Sequence, residues 1–181
     1  TTSIVFELLK KAGIPVAYEH QLSNTEFLAV NCKMITLEVV VRRYAVGSYL
    51  KRYPNFEKKK GEIPHRFHRL VFELFLKTTG GKIIMEDGKE WGETTIDLKT
   101  GKPVDDPFIA NPYDEVWTLK HPKIPEWEAG SDILRQVLKR NFLPESVTVE
   151  KIEEIARKVF LVLEGAWAQF GFRLVDFKIE L

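Results

Sequence analysis

EVVVRRYAVGSYLKR, Glu38 to Arg52, is where the organisation of this chain becomes readable. Val39 to Val41 favour an extended strand, because side chains branched at Cβ pack well on a pleated surface. The run ends at Arg42-Arg43, turns through Gly47-Ser48 and continues to Lys51 and Arg52. A strand that ends at an arginine and turns into a helix presents free backbone N–H groups beside a guanidinium. Gly47 permits close approach of a ligand, Ser48 adds a hydroxyl donor, and a helix start favours negative charge. Arg42 could grip a phosphate through two parallel hydrogen bonds, with Lys51 and Arg52 one turn further on. The same residues would equally suit a buried strand followed by a helix with a solvated basic face. The local pattern leaves both readings open.

A second charged pattern closes the chain. In LVDFKIEL side chains alternate between the two faces of a strand. Leu174, Asp176, Lys178 and Glu180 fall on one face; Val175, Phe177, Ile179 and Leu181 fall on the other. A row of mixed charge on a strand with an apolar back suits a divalent cation with a polyphosphate, carboxylates for the metal and lysine for phosphate oxygens. Cross-strand ion pairs on a half-exposed strand would leave the same pattern.

Between these stretches the periodicity predicts further elements. TTSIVFELLKKAGI reads as a helix, with Ile4, Val5, Leu8, Leu9 and Ala12 at helical spacing and Gly13 as its stop. VAYEHQL and EFLAV read as strands around a Ser23-Asn24 turn, and KMITLEVVVRRY and LVFELFLKTT as longer ones. Asp87-Gly88 and Thr100-Gly101 signal hairpin turns in the segment that follows. Residues 107–127 read as a loop rich in Pro and Trp, and Ser131–Arg140 as a helix. Thr148 then caps a long helix with Glu150 in its first turn. Ile152, Ile155, Ala156, Val159, Leu163, Ala166 and Phe170 form its apolar face, and Gly171 ends it. Strands and helices mix without strict βαβ alternation, so the fold class is α+β.

Composition narrows the function. The chain has 181 residues with 27 Lys+Arg against 26 Asp+Glu, a balance that argues against a general nucleic-acid or membrane-surface binder. No apolar run approaches the ~20 residues that span a bilayer. A lone cysteine, Cys32, rules out an internal disulfide framework, fits a reducing cytoplasm and is expected as a buried thiol. His65 and His68 mimic a ligand pair, but a surface loop is the simpler reading because no further His or Cys stands at metal-ligand spacing. Trp91, Trp117, Trp127 and Trp167 are expected as packing anchors. The chain opens on Thr1 and closes inside an apparent strand, so both ends are expected to be cut from something longer.

Taken together, LEVVVRRYAVGSYLKR and LVDFKIEL resemble the two signatures of the SAICAR synthetase (phosphoribosylaminoimidazole-succinocarboxamide synthase) family. The FLK strand end at Lys77, the Asp106-Pro107 step, AGIP after the first helix and the long helix before the last strand resemble family features in the same order. The resemblance implies a mixed, largely antiparallel sheet packed with helices, part of a two-lobed ATP-binding architecture. It implies ligation of CAIR with L-aspartate at the expense of ATP and with Mg²⁺, through a carboxyl phosphate. Carried onto this sequence, it gives Arg42 and Ser48 to the ribotide phosphate, with Gly47 shaping the loop and Lys51 and Arg52 as helpers. Glu38 would floor the substrate pocket, Lys77 and Asp106 would lie near the reacting groups, and the backbone of Met34 would contact adenine. Lys178 would touch ATP, Glu180 would ligate Mg²⁺ and Asp176 would face the aspartate or the reacting carboxylate, as a catalytic group with Lys178.

The resemblance further implies that residues 1–181 are one central portion of a longer chain, the substrate lobe with the interlobe connection. It makes residues 78–105 a hairpin insertion. Small molecules are the implied partners, with a homo-oligomer left open. A non-catalytic ribotide-binding module and a plain folding domain are the competing readings.

Overall fold

Leu37, Val39 and Val41 sit on the buried face of the central strands of a six-stranded antiparallel sheet. The computed structural model describes residues 2–83, 94–125, 127–128 and 134–180. Strands β3 (Leu37–Tyr44) and β4 (Arg66–Leu76) pair along most of their length. Strand β8 (Asp176–Glu180) adds to the other edge of β3, and β5 (Phe108–Ile109), β6 (Val116–Lys120) and β7 (Arg135–Leu138) continue the sheet beyond β4. The order is β7-β6-β5-β4-β3-β8, with every neighbouring pair antiparallel. A separate two-stranded ribbon, β1 (Tyr18–Gln21) with β2 (Phe27–Ala29), follows helix α1 (Thr2–Lys11).

Period-two alternation gives this sheet two different faces. One face carries Leu37, Val39 and Val41 with Leu74, Leu76, Ile109, Trp117, Leu119 and Val137, all buried in the main core. Helix α3 (Val149–Ala168) lies over it and contributes Ile152, Ala156 and Phe160. Each buried Val, Leu, Ile or Phe among them stabilises by about 1.5–3 kcal/mol relative to exposure. The N-terminus of α3 is closed by Thr148, whose hydroxyl accepts from Lys151 N at 3.2 Å. Helix α1 packs on α3 through Leu9, Ile14 and Val159.

Arg42 and Arg43 part company at a bulge where the β3 register shifts. Arg43 turns to α3 and pairs with both oxygens of Glu164, at 2.7 and 2.8 Å. That paired hydrogen bond raises its already high pKa against the opposing effect of burial. Arg42 goes to the opposite face.

Several expectations need correction. Residues 107–127 are not a plain loop, since β5 and β6 lie within them. Where a helix was expected over 131–140, β7 pairs with β6, Val137 opposite Trp117. Leu134, Val137 and Leu138 have helical spacing, but only Val137 reaches the core and sheet pairing outweighs so short a pattern. Phe170 lies beyond the last turn of α3 and is 74% exposed. Cys32 is exposed, not buried. Trp117 is an anchor, whereas Trp127 and Trp167 are exposed, and Trp91 and the Asp87-Gly88 turn lie outside the described residues. The Thr100-Gly101 turn is present beside an Ile96–Pro103 bridge, with Gly101 at positive φ.

Candidate functional site

Glu38, Val40 and Arg42 occupy the face of β3 away from α3. The register sets Glu38 opposite Glu180, Val40 opposite Lys178 and Arg42 opposite Asp176. The charged row of β8 thus lies beside the charged row of β3, although the two are far apart in sequence. A cavity of about 420 Å³ opens here. Glu38, Arg42, Gly47, Ser48, Asp106, Asp176 and Lys178 line it, and Val40, Phe75, Asp105, Pro122, Lys123 and Phe177 complete the wall.

One end is organised by Arg42, only 4% exposed. Its Nε donates to Glu73 Oε2 at 2.6 Å, its Nη1 to Asp176 Oδ2 at 2.5 Å and its Nη2 to the Ser48 hydroxyl at 3.1 Å. A longer contact runs from Nη1 to the Val46 carbonyl, 3.4 Å. Gly47 makes this turn possible, because its φ of 59° with ψ of −130° is a conformation that side chains with a Cβ avoid. Helix α2 (Ser48–Arg52) has only five residues, so the helix start expected to attract an anion contributes little field of its own. The anion-directed groups are the Arg42 guanidinium and the Ser48 hydroxyl.

The other end is organised by Lys77. Its ammonium stands 3.4 Å from Glu38, 3.5 Å from Asp106 and 3.6 Å from Glu180, while Lys178 reaches Glu38 at 3.0 Å. Partial burial alone would lower the pKa of Lys77, but Asp106, Glu38 and Glu180 together outweigh it and hold the group above the ordinary lysine value. Asp106 has φ of 49°, the one positive value among the described non-glycine residues. Reciprocal bonds hold it there, Thr78 N to Asp106 Oδ1 at 3.1 Å and Asp106 N to Thr78 Oγ1 at 2.8 Å. Such over-determined backbone is often found at working sites.

Not every expected site residue joins this cavity. Met34 lies on a second one of about 400 Å³, with Thr36, Arg140, Pro144 and Val147. Arg52 is wholly buried, ion-paired to Glu73, and is a structural neighbour of the site. Lys51, Lys77 and Glu180 are not among the cavity-lining residues, although Lys77 stands against the wall through Glu38 and Asp106. Asp176 does line the cavity, but beside Arg42 and away from the carboxylates around Lys77. His65 packs among aromatic rings, 4.9 Å from Phe56 and 5.3 Å from Phe67 between centroids. Among the described residues no group of three or more His, Cys, Asp or Glu is arranged to hold a metal ion.

Among the residues missed in the sequence are Glu73, which holds Arg42 from behind the cavity wall, and Lys123 on the wall itself. Glu73 had a signal, a lone charge inside the apolar strand LVFELFL. Lys123 had none, since only the path of the chain after β6 brings it to the cavity.

Comparison with known proteins gives this geometry a lineage. Residues 1–86 match the family described as SAICAR synthetase. A "Probable multifunctional protein ADE2" from Caenorhabditis elegans is 32% identical over 180 residues, covering 99% of this chain and 32% of that protein. The phosphoribosylaminoimidazole-succinocarboxamide synthase of Chloroflexus aurantiacus is 30% identical, covering 99% of this chain and 51% of its own. A solved SAICAR synthetase (Type-2) in complex with ADP has the same fold, with a TM-score of 0.56 at 26% identity over 98% of this chain and 53% of that one. The chain therefore spans between a third and about half the length of the relatives it matches. Residues 1–86 match the SAICAR synthetase family, and the chain as a whole resembles proteins of that name over nearly its whole length.

Proposed function

We propose that this chain supplies the ribotide- and aspartate-handling part of an ATP-dependent ligase that joins CAIR to L-aspartate in purine biosynthesis in the cytoplasm. The observation that carries the reading is the β3–β8 register, which sets an anion grip and an ammonium–carboxylate cluster on one cavity face. Arg42 and Glu38 are four residues apart, about 13 Å along a strand. That distance is comparable with the reach of a nucleoside monophosphate from its phosphate to the far side of its base.

At the Arg42 end the guanidinium and Ser48 receive the ribotide phosphate. The outer edge of the fork already holds an oxyanion, the Asp176 carboxylate, which the phosphate displaces or shares. At the Lys77 end the reacting carboxylate of CAIR accepts the γ-phosphoryl group of ATP, and ADP leaves. The aspartate amine then attacks the carbonyl carbon; the C–N bond forms, the C–O bond to phosphate breaks and inorganic phosphate departs. Lys77 and Lys178 offset charge on the transferred phosphoryl group. Proton removal from the amine falls to Asp106, because Asp176 lies at the phosphate end of the cavity, beside Arg42.

Mg²⁺ would supply charge neutralisation for the phosphates. With no three-ligand cluster among the described residues, Glu180 provides a single carboxylate, which suits an ion held mainly by phosphate oxygens and water. Met34 and its cavity are assigned to the adenine, in keeping with the ADP of the related structure. Residues 78–105 remain assigned as an insertion of the substrate lobe.

The test is an ADP-release assay on the full-length gene product. Release that requires both CAIR and aspartate supports the ligase. No ADP release with both substrates present rejects it.

A further inference from the structure

We propose that Glu73 is a positioning residue for the phosphate grip, acting through a buried chain of charge from Arg42 through Glu73 and Arg52 to the Pro122 carbonyl. The role in ribotide binding rests on the function proposed above; the chain of contacts does not.

Glu73 lies on β4 opposite Val40 and is 3% exposed. Each of its oxygens serves a different arginine, Oε2 the Nε of Arg42 at 2.6 Å and Oε1 the Nη2 of Arg52. Arg52 is fully enclosed, its guanidinium 4.6 Å from the Phe108 ring centroid and 5.2 Å from that of Phe75. Its Nη1 donates to the Pro122 carbonyl at 2.9 Å, and Pro122 and Lys123 form another part of the cavity wall. Glu73 therefore ties the β3 wall to the loop after β6.

Stability alone is a weak reason for this arrangement. Burying a carboxylate and two guanidinium groups removes three charges from water, and apolar residues of similar volume often hold a fold as well. Arg52 also leaves its Nε buried without a hydrogen-bond partner, an added cost. The arrangement does fix direction. A guanidinium is planar, so holding its Nε edge on Glu73 leaves only the Nη edge for Ser48 and an incoming anion. Without Glu73 the group can swing fully onto Asp176, and the grip loses its aim.

The experiment compares the wild-type full-length gene product with Glu73→Gln and Glu73→Asp. It measures CAIR and ATP affinity together with the exchange protection of arginine Nε–H protons by NMR. Glu73→Asp keeps the charge but withdraws the carboxylate by one methylene. A displacement of that size is expected to lower CAIR affinity by up to about tenfold, less than removal of Arg42 itself, with ATP affinity changed less than about twofold. An unchanged CAIR affinity in a folded variant, or equal losses for both ligands, overturns the positioning role.

Should Glu73→Gln not fold, Glu73→Asp carries the comparison. Should neither fold, the wild-type spectrum decides: a protected Arg42 Nε–H supports the buried chain, and rapid exchange overturns it. A wild-type protein that binds no CAIR but retains this protection, lost in Glu73→Asp, rejects the ribotide reading and leaves the aiming of Arg42 standing.

Discussion

At the scale of single residues, the site is defined by which charges find partners. Arg42 commits Nε, both Nη1 hydrogens and one of Nη2, leaving one of its five guanidinium hydrogens uncommitted among the described contacts. In the proposed function its value to a ligand lies in exchanging the part-exposed Asp176 for a phosphate, not in waiting free. Arg42→Ala is expected to cost about 1.5–3 kcal/mol of ribotide binding, roughly 10- to 100-fold, with ATP binding little changed. Isothermal titration with both ligands checks this, and equal losses would count against the phosphate role. Lys77 gives a pH prediction. Its folded-state pKa lies above the ordinary value of 10.5, so its contribution to stability is complete below that pH and fades as pH rises through the folded value. A urea midpoint followed from neutral pH upward should therefore show no loss attributable to Lys77 until strongly alkaline solution. Titration of its ammonium below 10.5 by NMR would refute the cluster's effect.

At the scale of elements, short irregular pieces aim the site and long regular ones hold it. The turn before α2 depends on Gly47, whose backbone conformation, rather than any crowding, excludes a larger residue. Gly47→Ala should destabilise by ~1–3 kcal/mol and weaken ribotide binding as Ser48 shifts. Denaturation and ligand titration read the two effects separately, and a variant as stable as wild type would show that the turn tolerates a Cβ. The loop between β5 and β6 is tied to α3 by Tyr113, whose hydroxyl donates to Glu153 at 2.5 Å. Partial burial and then this hydrogen bond push the phenol up to about 12. Ultraviolet titration should show a late tyrosinate step near that pH, lost in Tyr113→Phe. Its persistence in the variant would assign it elsewhere.

At the scale of the whole molecule, one sheet separates two tasks. The α3 side is apolar and supplies stability, while the other side carries charge and is open to a cavity. The faces are independent in chemistry but share a backbone. Trp117 is fully buried on the core side and stacks on Phe142 at 5.9 Å between centroids. Trp117→Ala should cost about 3–5 kcal/mol, a large share of the ~5–15 kcal/mol typical of a domain. The denaturation midpoint should fall sharply, with ligand affinity lost only in step with unfolding. Lost affinity in a protein that is still folded would reveal coupling between the two faces.

The sequence by itself determined the elements with strong local periodicity. Helix α3 was legible from its apolar face and Thr148 cap, β3 from its β-branched run and β8 from its alternation, and the two signatures carried the family resemblance. The weak elements were not legible. β5, β6 and β7 are short, and Val137 occupies an extended segment because Trp117 faces it across the sheet, not because of its neighbours in sequence. The site followed the same division. Residue types and faces could be read from one strand at a time, but the pairing of Arg42 with Asp176, 134 residues away, could not. Nor could the capture of Arg52 by Glu73, which buries a side chain expected near the ligand. The physical reason is that a strand's alternation is a local property of its own backbone, whereas register and the choice between water and a buried counter-ion are settled only when distant segments close on one another.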